Sequence, residues 1–271
     1  MKENRDTTLA VELRHNIYQL PSEKPGSHVY LIRGETKNVL IDSGTAANFH
    51  RLEWQLRGLG LSSTDIHFVI LTHEHFDHIG ATTFFDTAIV AAHTLAANKI
   101  ELQDEFVTLH KERNMPSKRL YAHLWLEDGI SVDLGNYKLQ VVHTPGHTSG
   151  CICLYETKED LLFSGDTVFA GGLLSDIAAS GNISDYVSSL QRLSNLKVEA
   201  LFPAHGRISD TPEEDISQAA QYARTVMEES KMLFEALAKN ESRAKILQRL
   251  EKAPMSGMTR STGKPEVKRG T

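Results

Sequence analysis

Residues Ile66 to Leu71, I-H-F-V-I-L, form a short and nearly continuous apolar run, and a strand that is apolar on both faces has to be covered on both. That requirement calls for a layered fold with packed elements on each side. Strand-like segments precede it at Val11 to Leu20, His28 to Arg33 and Asn38 to Asp42, broken by Pro25-Gly26 and Gly34. Between them and the run, Phe49, Leu52, Leu56 and Leu59 fall at helical spacing, so a helix is expected over Ala46 to Leu59, closed by Gly58 and Gly60. A second strand series follows at Ile130 to Leu134, Tyr137 to His143, Cys151 to Tyr155 and Leu161 to Ser164, then a helix over Ser184 to Leu196 and a strand over Ala200 to Pro203. Two sheets packed face to face with helices outside would bury both sets of apolar strands. The expected fold class is therefore α/β, a four-layer αββα sandwich.

Two regions stand outside that pattern. Residues Thr94 to Glu127 are helical in character and mixed in polarity, and are expected to form an insertion over the core. Thr211-Pro212-Glu213-Glu214 has the form of a helix start, with Thr as cap, Pro in the first turn and Glu three residues after the cap. That helix is expected to reach about Lys239, with another over Asn240 to Leu250. The expected organisation is an αββα domain over 1–210 with the insertion at about 94–127, C-terminal helices over 211–251 packing on it, and a basic tail over 252–271. The tail is rich in Gly, Pro and Ser, a composition that reads as disordered.

Charge and cysteine usage narrow the function classes. A net charge of -6 at pH 7 argues against a broad nucleic-acid face, which needs a clustered positive field. Met1 to Arg14 is polar and charged without an apolar targeting segment, and no window is long and apolar enough for a membrane span, so a soluble, cytoplasmic protein is expected. The only two cysteines, Cys151 and Cys153, are spaced C-x-C in a strand-like run. That spacing fits neither a zinc ribbon nor a disulfide framework, and both are expected to be buried strand residues.

The chemistry concentrates where the Ile66 to Leu71 run ends, in L-T-H-E-H-F-D-H. On an extended segment alternate residues share a face, so His73 and His75 can address one cation together. If the chain then turns, Asp77 and His78 can address a second beside it. A helical H-E-x-x-H zinc site is excluded by spacing, because Asp77 stands four residues after His73. Two metal sites need more ligands, and three later turns have the right form. Thr144-Pro145-Gly146-His147-Thr148, Phe163-Ser164-Gly165-Asp166-Thr167 and Pro203-Ala204-His205-Gly206 each follow a strand with a Pro or Gly turn and a His or Asp.

Taken together, T-H-E-H-F-D-H, T-P-G-H-T, S-G-D-T and P-A-H-G, in this order, resemble the metallo-β-lactamase fold superfamily of metallohydrolases, over roughly Ile17 to Ser209. The resemblance implies that His73, His75 and His147 hold a first metal, that Asp77, His78 and His205 hold a second, and that Asp166 bridges both. Imidazole and carboxylate ligands suit Zn(II) and also accept Fe or Mn, so two Zn(II) ions are expected with Fe or Mn as alternatives. Glu74 and Phe76 alternate with the ligands and are expected to support or pack around them. The other eight histidines, His15, His28, His50, His67, His93, His110, His123 and His143, default to surface or core roles, with His110 and His123 as candidates to reach the pocket.

The resemblance further implies a dinuclear hydrolase, in which hydroxide generated between two ions attacks a thioester, ester or lactone carbonyl and Asp77 orients the attacking water. The partner expected is a small acyl substrate, with no nucleic acid and no membrane. Within the superfamily the P-A-H-G-R ending and the Y-x-x-S-L-x-x-L helix of Tyr186 to Leu193 resemble the glyoxalase II-like hydrolase branch. The chain lacks the C-G-R segment of strict glyoxalase II proteins, and it has Phe169 where quorum-quenching lactonases often place a Tyr. Other readings of the same fold are a mononuclear iron persulfide dioxygenase, a lactonase, a phosphodiesterase or nuclease, and a binding module that keeps the site for structure. Phe106, Met115, Tyr121 and Trp125 of the insertion are expected to line an apolar acyl pocket.

Overall fold

The computed structural model describes residues 9–239 together with Lys245 and Gln248. Seven strands form one sheet, in chain order β1 (Val11–Arg14), β2 (Ile17–Leu20), β3 (Val29–Arg33), β4 (Asn38–Ile41), β5 (Phe68–Leu71), β6 (Ile89–His93) and β7 (Leu124–Leu126). The first three pairings are antiparallel and the last three parallel. The second sheet has five strands, β8 (Ser131–Asp133), β9 (Lys138–His143), β10 (Ile152–Glu156), β11 (Leu161–Gly165) and β12 (Ala200–Pro203), in the order β12-β11-β10-β9-β8. Only β11 and β12 run parallel in it.

The inner faces of the two sheets share one apolar core. Ile32, Ile41 and Ile70 of the first sheet meet Val141, Leu154 and Phe163 of the second, all at most 1% exposed. Tyr30 packs edge-on against Phe163 with ring centroids 5.3 Å apart, and its hydroxyl donates to the Pro203 carbonyl at 2.6 Å. The outer face of the first sheet carries the alternate residues Leu31, Leu40, Val69 and Val90. These are covered by α1 (Phe49–Gly58), through Leu52 and Leu56, and by α3 (Thr94–Leu102), through Ala96, Ala97 and Ile100. A one-turn helix, α2 (Phe76–Ile79), lies between them in sequence. Cys151 and Cys153 are buried free thiols beside Tyr186 of α5 (Ile183–Leu193), which places that helix on the outer side of the second sheet. The four layers are those of the expected αββα sandwich.

The boundaries differ from the sequence reading in specific places. Val11 to Leu20 is a hairpin rather than one strand, because Asn16 takes a left-handed conformation (φ 58°) that reverses the chain. β6 was not expected; its I-V-A-A-H sequence is rich in alanine and carries little strand signal. The region 94–127 is only partly helical, with α3 followed by the short α4 (Glu105–Thr108), irregular chain, and then β7, which extends the first sheet. The last helix, α6 (Pro212–Ala238), starts at the expected proline. The first compact unit runs over residues 1–224 and includes the opening turns of α6, with Ile216, Ala219 and Ala223 buried. A second unit covers 225–271, and its part of α6 has Ser230 Oγ bonded to the Val226 carbonyl one turn back. The helix expected over 240–250, apart from Lys245 and Gln248, and the tail over 252–271 lie outside the described residues.

No helix among the described residues is long and apolar enough to cross a membrane. Because Phe163 is fully buried between the sheets, Phe163→Ala is expected to lower stability by about 3–5 kcal/mol. Urea unfolding of the variant beside the parent chain measures this directly.

Candidate metal centre

The parallel strands β4 to β7 all end at the same edge of the first sheet, and β9, β11 and β12 end at the corresponding edge of the second. Backbone bonds join the two sheets there. The Ile152 amide donates to the Thr72 carbonyl at 2.9 Å, and the His28 amide to the Ala204 carbonyl at 2.7 Å. Gly165 makes the approach possible. Its φ is 52°, and a Cβ there would lie 2.8 Å from the Thr72 side chain. At this edge the four motif turns converge.

Three overlapping groups of candidate ligands result: His73, His75 and His147; His73, His78 and Asp166; and Asp77, His78 and His205. Within each group the ligand atoms lie within 4.8 Å of one another. The extended backbone of His75 (φ -73°, ψ 149°) puts it on the same side as His73, and the turn of α2 then swings Asp77 and His78 towards the second group. All seven sequence-derived candidates are thus brought together. Neither His110 nor His123 joins them. His110 lies beside Gln103, and His123 accepts the Val90 amide at 2.9 Å, at the edge of the sheet opposite to the cluster.

The donor atoms are arranged for a cation. His73 Nε2, His78 Nε2 and Asp166 Oδ1 are buried without a hydrogen-bond partner, a costly arrangement unless a further group satisfies them. His147 donates its Nδ1 proton to the Asp176 carbonyl at 2.5 Å, which leaves its Nε2 lone pair 3.0 Å from His75 Nδ1. Nitrogens about 3.3 Å apart are what tetrahedral zinc with bonds of about 2.0–2.1 Å requires. The residues present therefore fit a metal.

Electrostatics support the same conclusion in two ways, neutral rings at His73 and His75 and a field of carboxylates around His78 that favours positive charge. Burial, followed by the neighbouring imidazoles His78, His75, His147 and His205, holds His73 well below the usual histidine range. Burial, with His147 and His78, takes His75 down to about 3. Both rings are neutral at pH 7, with lone pairs free for a cation. Burial would also disfavour charge on His78, but Asp42, Asp166 and Asp77 outweigh it and raise the pKa to about 10. Burial would raise Asp77, yet His78 and the hydrogen bond from His205 bring it down to about 2, so the group is a carboxylate. Asp77 Oδ2 lies 3.2 Å from His205 Nε2 and 3.7 Å from His78 Nε2.

The sequence reading missed the residues that hold these ligands in place. Asp42, at the end of β4, accepts the Thr72 amide at 2.7 Å, the Thr72 hydroxyl at 2.8 Å and His78 Nδ1 at 2.8 Å. That last bond directs His78 Nε2 into the cluster. A signal for it exists in V-L-I-D-S-G, an apolar strand closed by an acid near a Gly, the same form as the Asp166 turn. Ser175 donates to Asp166 Oδ2 at 3.2 Å, and the Tyr186 hydroxyl donates to the Thr167 carbonyl at 2.8 Å. Phe169 lies with its ring 6.2 Å from that of His205.

The acyl pocket expected from the 94–127 region does not form as one surface. Met115 packs on the outer-face core. Tyr121 and Lys118 border a cleft with Phe85 and Val90, on the side of β6 away from the cluster. Phe106 is 84% exposed. The segment reaches the motif through another residue, Arg113, whose guanidinium lies 4.8 Å from the centre of the Phe76 ring.

A four-layer αββα sandwich with a His and Asp cluster at one strand edge defines a class of metal-dependent hydrolase. The family model of the metallo-beta-lactamase superfamily matches residues 24–205, and the chain belongs to that superfamily. Among its relatives is the acyl-coenzyme A thioesterase of Homo sapiens, 31% identical over 207 residues, spanning 66% of this chain and 72% of that one. A probable metallo-hydrolase of Methanocaldococcus jannaschii is 31% identical over 194 residues, spanning 68% of this chain and 89% of the other. The hydroxyacylglutathione hydrolase of Aeromonas hydrophila is 29% identical over 185 residues, covering 65% of this chain and 59% of that enzyme. Among solved structures, a metallo-beta-lactamase family protein of Thermus thermophilus superposes with a TM-score of 0.67 at 24% identity, covering 80% of this chain and 83% of its own. That likeness concerns the fold.

Asp42→Asn would place an amide N–H₂ against the Thr72 or His78 donors. The expected outcome is metal affinity reduced by about ten- to hundredfold, read by zinc titration against a chromogenic chelator.

Proposed function

We propose that the chain hydrolyses small acyl thioesters at a dinuclear metal centre. His73, His75 and His147 would hold one ion, Asp77, His78 and His205 the other, and Asp166 would bridge them. The observation that carries this reading is the convergence of seven candidate ligand side chains, three of whose buried polar atoms have no hydrogen-bond partner among the described residues. Zn(II) is the metal the all-nitrogen and oxygen ligand set suits best, with Fe or Mn as alternatives. Two such ions supply Lewis-acid polarisation of a carbonyl and hydroxide at neutral pH.

The chain's own residues account for the rest. Asp77, ionised at neutral pH and on the His205 side of the cluster, accepts the hydrogen bond that orients the attacking water. Asp42 and the Asp176 carbonyl keep the His78 and His147 rings from rotating, so their free nitrogens stay aimed at the cluster. Phe169 presents an apolar ring beside His205, so no phenol is placed there to protonate a leaving group. A thiolate, with an ordinary thiol pKa of about 8.5, departs without such help more readily than an alkoxide or an amide. This supports a thioester ahead of an ester or lactone, as does similarity to an acyl-coenzyme A thioesterase and a hydroxyacylglutathione hydrolase.

The test is release of free thiol from a panel of acyl-coenzyme A and S-acylglutathione substrates, compared with lactones and phosphodiesters, after reconstitution with Zn, Mn or Fe. Thiol release that chelator abolishes is expected, together with about two metals per chain. Asp77→Asn, checked for retained metal, is expected to lower kcat by at least about a hundredfold. Oxygen uptake with a persulfide substrate and a single iron per chain would replace this reading with the dioxygenase one.

A further inference from the structure

The residue between the first two histidines, Glu74, has a role that the metal ligands do not explain. Its side chain is fully buried, and a buried carboxylate needs donors. It receives them from three separate segments. Lys99 Nζ, from α3, lies 3.0 Å from Oε1. The Ser180 hydroxyl, from the loop after β11, lies 3.4 Å from the same oxygen, and the Thr148 hydroxyl donates to Oε2 at 3.0 Å. Lys99 also donates to Ser149 Oγ at 2.7 Å, so it grips the turn next to Thr148. Gly150 leaves room for the carboxylate, since a Cβ there would come within 2.7 Å of Glu74 Oε2.

Two of these segments, the loop after β11 and the turn of Thr148, hold His147 directly. The Asp176 carbonyl holds its ring, the Ala178 amide donates to its carbonyl at 2.9 Å, and Thr148 follows it in the chain. Glu74 itself lies between His73 and His75, so one carboxylate ties the backbone carrying two ligands of the first group to the turn carrying the third. Asp77, His78 and His205 receive no bond from this network among the described residues. A buried ion pair is a weak source of net stability, because desolvation offsets its attraction. Its return here is geometric.

We infer that Glu74, paired with Lys99, is a positioning residue that locks the His147 turn against His73 and His75, and so sets metal affinity at the first site alone. The selectivity for one metal rests on the dinuclear reading proposed above; the lock on the turn does not. Substitution of Lys99 removes the cation without touching a ligand. Thr148→Val removes the hydroxyl at constant volume, and Thr148→Ser retains it.

Two measurements decide the matter. In metal-free full-length protein, Lys99→Met and Thr148→Val are expected to speed amide hydrogen exchange at least tenfold in residues 144–151 and to leave 200–206 unchanged, with Thr148→Ser behaving as the parent. For metal, zinc affinity is read in two backgrounds. With His205→Ala, where the first group remains, Lys99→Met is expected to weaken binding by about ten- to hundredfold. With His147→Ala, where the second group remains, it is expected to change binding by less than about twofold. Lys197→Met, which removes exposed pairs with Asp160 and Glu199 at a distance from the cluster, should leave both unchanged. Uniform acceleration of exchange, or equal weakening in the two backgrounds, would overturn the inference by showing a general structural role. Unaltered exchange in 144–151 would overturn it as well. A parent chain that binds no zinc, manganese or iron but shows the localised exchange pattern would sink the proposed function and leave the lock standing.

Discussion

A carboxylate buried at the end of β4 organises the metal edge. Asp42 is 1% exposed, and removing an anion from water is tolerable only when donors replace the lost hydration. The Thr72 amide and hydroxyl and the His78 imidazole are those donors. Satisfying one buried charge therefore fixes the end of β5, the first turn of α2 and the orientation of His78. The inter-sheet bond from Ile152 to Thr72 carries the same register across to the second sheet, where His147 and Asp166 stand. A chain of local necessities thus turns one aspartate into a reference point for ligands from both sheets.

The sequence was legible where chemistry and pattern coincided. The strand that runs into T-H-E-H-F-D-H, and the three Pro or Gly turns with His147, Asp166 and His205, could be placed at strand ends because apolar runs stop abruptly at polar turn residues. The αββα layering followed from the same runs. What escaped were features whose signal lies in tertiary context. The alanines of β6 have no strand preference of their own, and they form a strand because they lie between β5 and β7 in a parallel sheet. Asp42 looked like an ordinary acid, and Glu74 was expected to support or pack around the ligands without its partners being legible, since donors from residues many positions away leave no mark in local pattern. The region 94–127 was misread as a helical pocket wall, because apolar side chains in it serve the outer core and an edge strand.

Asp42 and Glu74 divide the supporting work between the two halves of the cluster. The first holds His78 through its ring, and the second holds the His147 turn through hydroxyl and ammonium donors. Both carboxylates are buried among the candidate ligands, whereas the His205 side chain on the other side of the cluster is 34% exposed. Arg113, over the Phe76 ring, places a cation beside the motif.

The candidate ligands come from chain positions as distant as His73 and His205, at the ends of strands of two different sheets. A cation at their meeting point binds the assembled fold and has little to bind in the unfolded chain. By mass action it adds stability in proportion to the logarithm of its free concentration over its dissociation constant, about 2.7 kcal/mol at a hundredfold excess. A metal held there would be a clasp between the sheets as well as a reagent. Parallel strand pairings such as β4 with β5 and β11 with β12 close long loops before they gain any contact, a slow step in folding. Metal in the surrounding medium would then add to the stability of a fold whose assembly rests on such pairings.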